Sequence, residues 1–136
     1  MALTIAILAY GEDRYLREAQ ESIAWHRRQG MRNAIQLWVQ SHERPAHLDA
    51  DIRHLPAIST NSPTFVVGWY YKTQVLRELC ENTHEPFCLL DSYARGLSPF
   101  IFDQTAELAR RFHVCLALDP RRTLARELRQ GRGISP

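Results

Sequence analysis

Residues 3–10 read LTIAILAY and run directly into Gly11-Glu12-Asp13. A nearly unbroken apolar run of this length fits a strand covered on both faces, because a strand with one wet face would alternate. Gly11 and Glu12 turn the chain. Asp13 is then placed to cap a helix reaching about residue 29, in which Leu16, Ala19 and Ile23 recur at helical spacing. Gly30 follows in the C′ position that favours glycine. A two-sided strand feeding an amphipathic helix is the first half of a βαβ unit, and it sets the expectation for the rest of the chain.

Moving outward, residues 34–40 (AIQLWVQ) put Ile35, Leu37 and Val39 on one face and Trp38 on the other, which predicts a second strand. A polar loop over residues 41–48 leads to a short third strand over 51–55 and a loop over 56–63. Ser62 and Pro63 suit the N-cap and N1 of a helix to about Cys80, with Trp69, Thr73, Leu76 and Cys80 as its inner stripe. Residues 87–90 (FCLL) form a short buried strand ending on Asp91, and SYARGLSPF (92–100) loops out before a brief helix from Asp103 to about Phe112. Val114 to Leu118 predicts another strand, and Asp119-Pro120 starts a helix that ends at Gly131. Alternating strands and helices argue for an α/β domain spanning residues 1–136, a mostly parallel sheet with helices on both faces. In such sheets ligands sit beyond the carboxyl ends of the strands, which nominates Tyr10 and Gly11 together with Asp91, Ser92 and Tyr93.

Composition excludes several classes. Hydrophobic residues make up 45% of the 136 and charged residues 24%, too apolar a balance for a disordered chain. No run approaches the ~18 apolar residues of a membrane span. The first residues lack the basic n-region and cleavage site of a signal peptide. Cys80, Cys88 and Cys115 are odd in number and widely spaced, which suits buried thiols in a reducing compartment, so the expected location is cytoplasmic. No glycine-rich dinucleotide or phosphate-binding loop and no Gly-x-Ser-x-Gly elbow is present. His42, His47 and His54 with Asp49 and Asp51 fit no compact zinc spacing and are expected to be solvated loop residues.

The order of features resembles the glycogenin-like retaining glycosyltransferases of the GT-A (nucleotide-diphospho-sugar transferase) fold. LAYGEDRY (8–15) is similar to the family's first strand and its base-cradling turn and tyrosine. YYKTQVLREL (70–79) is similar to its lysine-bearing helix, FCLLDSYARGLSPF (87–100) to its Asp-x-Asp strand and leucine-rich turn, and HVCLALDP (113–120) to its last strand. The resemblance covers about residues 3–120. It implies a nucleotide-sugar site formed by Tyr10, Gly11, Tyr15, Lys72, Asp91, Ser92 and Tyr93, with a UDP-type donor favoured. It also implies Mg²⁺ or Mn²⁺ held through Asp91. Tyr93 stands where the family has its second metal-binding aspartate, and the family's acceptor-binding half has no counterpart in the 136 residues. Two functions therefore stay open: transfer of a sugar to an acceptor, or a non-catalytic remnant of the same fold serving as a binding or assembly module.

Single residues carry alternatives of their own. Tyr10 and Tyr15 suit stacking on a base or a place in the core. Asp91 suits a ribose hydroxyl, a metal or its own loop backbone. Lys72 is the sole lysine among 17 basic residues and suits a phosphate or plain solvent. Arg95 could add a fork to a diphosphate. Seven arginines against Asp119 and Glu127 make residues 110–136 basic. That segment could meet nucleic acid with steep salt dependence, but it lacks the interleaved aromatics of a stacking platform, so nucleic acid is the least favoured partner. Finally, part of Phe100–Phe102 and an edge of the sheet are expected to be buried in a homodimer or tight partner complex, unless the helix of residues 120–130, with Leu124 and Leu128, folds back as the cover instead.

Overall fold

A computed structural model describes residues 3–46, 48–94 and 100–113. His47, Arg95, Cys115, the expected strand at 114–118 and the expected helix at 120–130 lie outside the described residues. The order is β1 (Thr4–Tyr10), α1 (Asp13–Arg28), β2 (Ile35–Gln40), β3 (Asp51–His54), α2 (Thr64–Asn82), β4 (Phe87–Asp91) and α3 (Phe100–Phe112). The four strands form one sheet in the order β3-β2-β1-β4, and every pairing is parallel. This is the α/β architecture expected from the alternation, with helices on both faces, and it is Rossmann-like in strand order.

Side-chain alternation sends β1, β2 and β4 into two cores. Ile5, Ile7 and Ala9 of β1 and Ile35, Leu37 and Val39 of β2 face α1 and α3, where Leu16, Ala19, Ile23, Phe102 and Ala106 meet them. Ala6, Leu8 and Trp38 face the other way, against Tyr71, Val75 and Leu79 of α2. The topology explains the division. From β1 the chain steps through α1 to β2, and by a loop that packs Leu48 and Ala50 on the same face, to β3. It then reverses, crossing through α2 to β4 on the far side of β1. Right-handed crossovers in opposite directions must place their helices on opposite faces.

Local chemistry sets the ends of α1. Gly30 has φ +89° at C′, its N–H bonds to Arg27 O at 3.0 Å, and Met31 N–H bonds to His26 O at 3.1 Å, the paired bonds of a Schellman motif. At the other end Asp13 is the first helical residue rather than the cap, and Glu12 holds the N-cap position without a side-chain bond. The Asp13 carboxylate is drawn away to accept bonds from Ser41 Oγ at 2.6 Å and from His42 N–H at 3.2 Å. Arg27 closes the same layer. It donates to the carbonyls of Met31 (3.1 Å), Asn33 (2.8 Å) and Asp49 (2.8 Å), and its Nε lies 3.0 Å from the Asp49 carboxylate.

Three other expectations are corrected. Helix α2 starts at Thr64 with Pro63 at the cap, one residue later than read, because Ser62 is engaged with Thr60 Oγ1 through both its N–H (3.0 Å) and its hydroxyl (2.9 Å). Its inner stripe is Tyr71, Val75 and Leu79, with Gly68 beneath, and not Trp69, Thr73, Leu76 and Cys80, which all lie on the exposed side. Tyr71 decides the rotation: its ring is buried, and its hydroxyl donates to Pro56 O at 2.6 Å. Helix α3 begins at Phe100, not Asp103; within it Phe102 is 4% exposed inside the α1-side core, while Ile101 is 39% exposed.

Candidate functional site

The strand order reverses after β3 and sets β4 beside β1, and the split between their outgoing chains, beyond the paired carboxyl ends, is the crevice where such folds receive ligands. The register gives that crevice depth. Leu8 pairs with Asp91, the last residue of β4, so β1 runs on two residues further to Tyr10 while the chain after β4 turns away. Ala94 N–H bonds back to Asp91 O at 3.0 Å, which closes the turn Asp91-Ser92-Tyr93-Ala94. Ser22 Oγ donates to Ala94 O at 2.6 Å, pinning that turn to α1. Beneath it, His26 is 2% exposed, and its Nδ1 lies 2.8 Å from Ser22 O, which assigns the ring proton to that nitrogen.

A cleft of about 180 Å³ occupies the split, lined by Leu8, Tyr10, Tyr15, Lys72, Leu89, Leu90, Asp91, Ser92 and Tyr93. Six of the seven residues singled out from the sequence thus meet at one place. Gly11 is the exception: it has φ +87° and donates its N–H to Gln40 Oε1 at 3.3 Å, so it shapes the turn without lining the cleft. The Tyr10 ring leans on Tyr71 with centroids 5.5 Å apart and projects over Gly68, where any Cβ would collide with its hydroxyl. Tyr15 stands at the mouth. Arg14 donates to its hydroxyl at 3.0 Å, stacks over its ring at 4.8 Å and pairs with Glu12 at 3.0 Å. The Tyr15 bond first and the Glu12 charge second hold the Arg14 guanidinium above its ordinary pKa.

Two charges of the lining face each other. Lys72 Nζ lies 3.5 Å from Asp91 Oδ1, with the side chains 45% and 55% exposed. An exposed pair of this kind contributes ~0–1 kcal/mol, so either partner can leave it at little cost. Ser92 is 6% exposed and donates to Glu18 Oε2 at 3.4 Å. These donors do not fit Mg²⁺ or Mn²⁺. Asp91 is the sole carboxylate among the described residues that line the cleft, and an ammonium already faces it. Among the described residues no three His, Cys, Asp or Glu side chains come close enough to hold a metal. Asp49 and Asp51 instead pair with Arg27 and Arg53, at 3.0 and 2.8 Å.

Sequence reasoning missed a second, larger cleft of about 600 Å³ between β3 and α2, lined in part by Trp38, Arg53, His54, Tyr70 and Tyr71. Its signal was the Tyr70-Tyr71 doublet at the height of Trp38. Arg53 pairs there with Asp51 and stacks over Trp38 at 5.5 Å. This cleft lies on the sheet edge away from the crevice, so the smaller cleft is the stronger candidate. No family model, curated protein or solved structure matches the chain. Among the described residues no helix is long and apolar enough to cross a membrane.

Proposed function

We propose that the β1/β4 cleft binds a nucleotide sugar, UDP-type favoured, and that the chain is a glycosyltransferase-like domain. The observation that carries this reading is the convergence of Tyr10, Tyr15, Lys72, Asp91, Ser92 and Tyr93, drawn from four separate segments, on one cleft at the sheet's crevice. In this reading the rings of Tyr10 and Tyr15 flank the base, and Asp91 accepts a bond from a ribose hydroxyl. Lys72 neutralises the diphosphate, and where a sugar is transferred it stabilises the negative charge that builds on the leaving group. Titration calorimetry with UDP, GDP and their sugars tests it. A dissociation constant in the micromolar to low millimolar range supports the reading, and no heat from any of them at millimolar concentration removes it.

A second reading, an assembly module that pairs with a second copy of the chain, is favoured by the exposed stripe on α2. Val66, Trp69 and Leu76 are 39%, 66% and 39% exposed on a helix whose other side is already buried. A helix that is apolar on both sides ordinarily has cover on both. Solution mass decides this reading.

A further inference from the structure

We infer that the cleft takes its diphosphate without a divalent cation, with Lys72 supplying the positive charge and Asp91 acting as the ligand's competitor for it; this rests on the nucleotide reading above. A metal-dependent site of this kind needs hard oxygen donors on the protein to share a cation with the phosphates. Here Asp91 is the sole carboxylate among the described lining residues, and it faces the Lys72 ammonium at 3.5 Å. The ammonium therefore stands beside the carboxylate in the lining of the cleft. Its placement is firm at the base and loose at the tip. Lys72 follows Tyr71, which is 1% exposed and bonded to Pro56 O at 2.6 Å, whereas the lysine side chain is 45% exposed. A diphosphate carries more negative charge than one carboxylate, so the ammonium transfers from Asp91 to the ligand on binding.

The sign of one substitution separates this mechanism from a metal-dependent one. Where Asp91 holds a cation, Asp91→Asn abolishes diphosphate binding. Where Asp91 competes for Lys72, the same change frees the ammonium and removes a nearby negative charge, while the amide oxygen still accepts from a ribose hydroxyl.

The test is calorimetry of the full chain with UDP, in EDTA and again in Mn²⁺, alongside uridine as a phosphate-free probe. The expected results are equal UDP affinity in both buffers and severalfold tighter binding by Asp91→Asn. Lys72→Met should weaken UDP by about tenfold or more, the scale of one charge-assisted hydrogen bond, and leave uridine unchanged. Lys72→Arg should hold UDP affinity within a few-fold, since it keeps the charge. A requirement for Mn²⁺, or loss of binding in Asp91→Asn, overturns the inference and leaves the nucleotide reading standing. Equal losses of UDP and uridine in Lys72→Met also overturn it, because the lysine would then act on the shape of the cleft. No UDP binding in either buffer sinks both.

Discussion

Gly68 shows how a single missing carbon sets the cleft wall. It lies inside α2, where glycine is less favourable than alanine by ~1 kcal/mol, so propensity alone would make Gly68→Ala stabilising. Packing opposes this, because the added Cβ meets the hydroxyl and ring of Tyr10. Overpacking costs ~1–3 kcal/mol, and we expect it to win, giving a net loss of stability in urea denaturation. Removing the hydroxyl with Tyr10→Phe should recover only part of the loss, since the ring carbon also stands in the way. Asp13 is the residue-scale test of the bonds between the start of α1 and the loop after β2. The Ser41 hydroxyl first, and the His42 N–H after it, hold its carboxyl below the ordinary value of 3.8. A depressed carboxyl pKa contributes stability that is present above the unfolded value and is lost as pH falls through the folded one. Urea midpoints measured from about pH 5 down to about pH 2 should therefore fall less steeply in Asp13→Asn than in the parent. An unchanged slope would assign the acid sensitivity to other carboxylates.

At the scale of elements, α2 carries two apolar stripes, one in the core and one exposed. Leu79 is 2% exposed in the core beneath the sheet, while Leu76, one turn earlier and about 60° round the helix, is 39% exposed. Truncating a buried leucine costs ~2–5 kcal/mol, through lost transfer energy plus the cavity left behind. Leu79→Ala should fall in that range, and Leu76→Ala should stay within about 0.5 kcal/mol of the parent in the monomer. The reverse order would mean that the helix is rotated about its axis. Helix α3 follows the same logic: Phe102 and Ala106 reach the core at i and i+4, and the Phe102 ring contacts His26 with centroids 5.4 Å apart. That contact joins α3 to the helix that pins the turn after β4.

For the whole molecule, the outer stripe of α2 raises the question of assembly. Val66, Trp69 and Leu76 surround Thr73, a small residue about which two antiparallel copies of the helix can cross closely, Trp69 of each copy against Leu76 of the other. Twofold pairing is the commonest way to cover such a stripe. Under the assembly reading, light scattering after size exclusion at micromolar concentration should give twice the 15.8 kDa chain mass, and Trp69→Arg should return it to a single chain. A single-chain mass for the parent ends that reading. It leaves the nucleotide reading intact, because Trp69 does not line the cleft.

How much of this was legible in the sequence depends on how local the deciding interaction is. Residues 3–10 announced a two-sided strand because both faces of β1 are covered, and covered faces exclude polar side chains on either. Gly30 marked the end of α1 because a positive φ leaves few other residues at that position. Leu16, Ala19 and Ile23 marked the core side of α1, whose opposite side is polar, whereas α2 offered two stripes and no local way to choose. Only the partners across space, Tyr10 over Gly68 and Pro56 against Tyr71, select the one that is buried. The apolar character of Phe102 was plain, but whether it served the core or the surface depended on where α3 docks. The carboxyl ends of the strands were readable as ligand positions one strand at a time. That Tyr10, Lys72 and Asp91 share a cleft follows from the reversal of strand order after β3, which brings β4 to the open side of β1. Hydrophobic periodicity reports which side of an element is buried, and it carries no information about which neighbour does the burying.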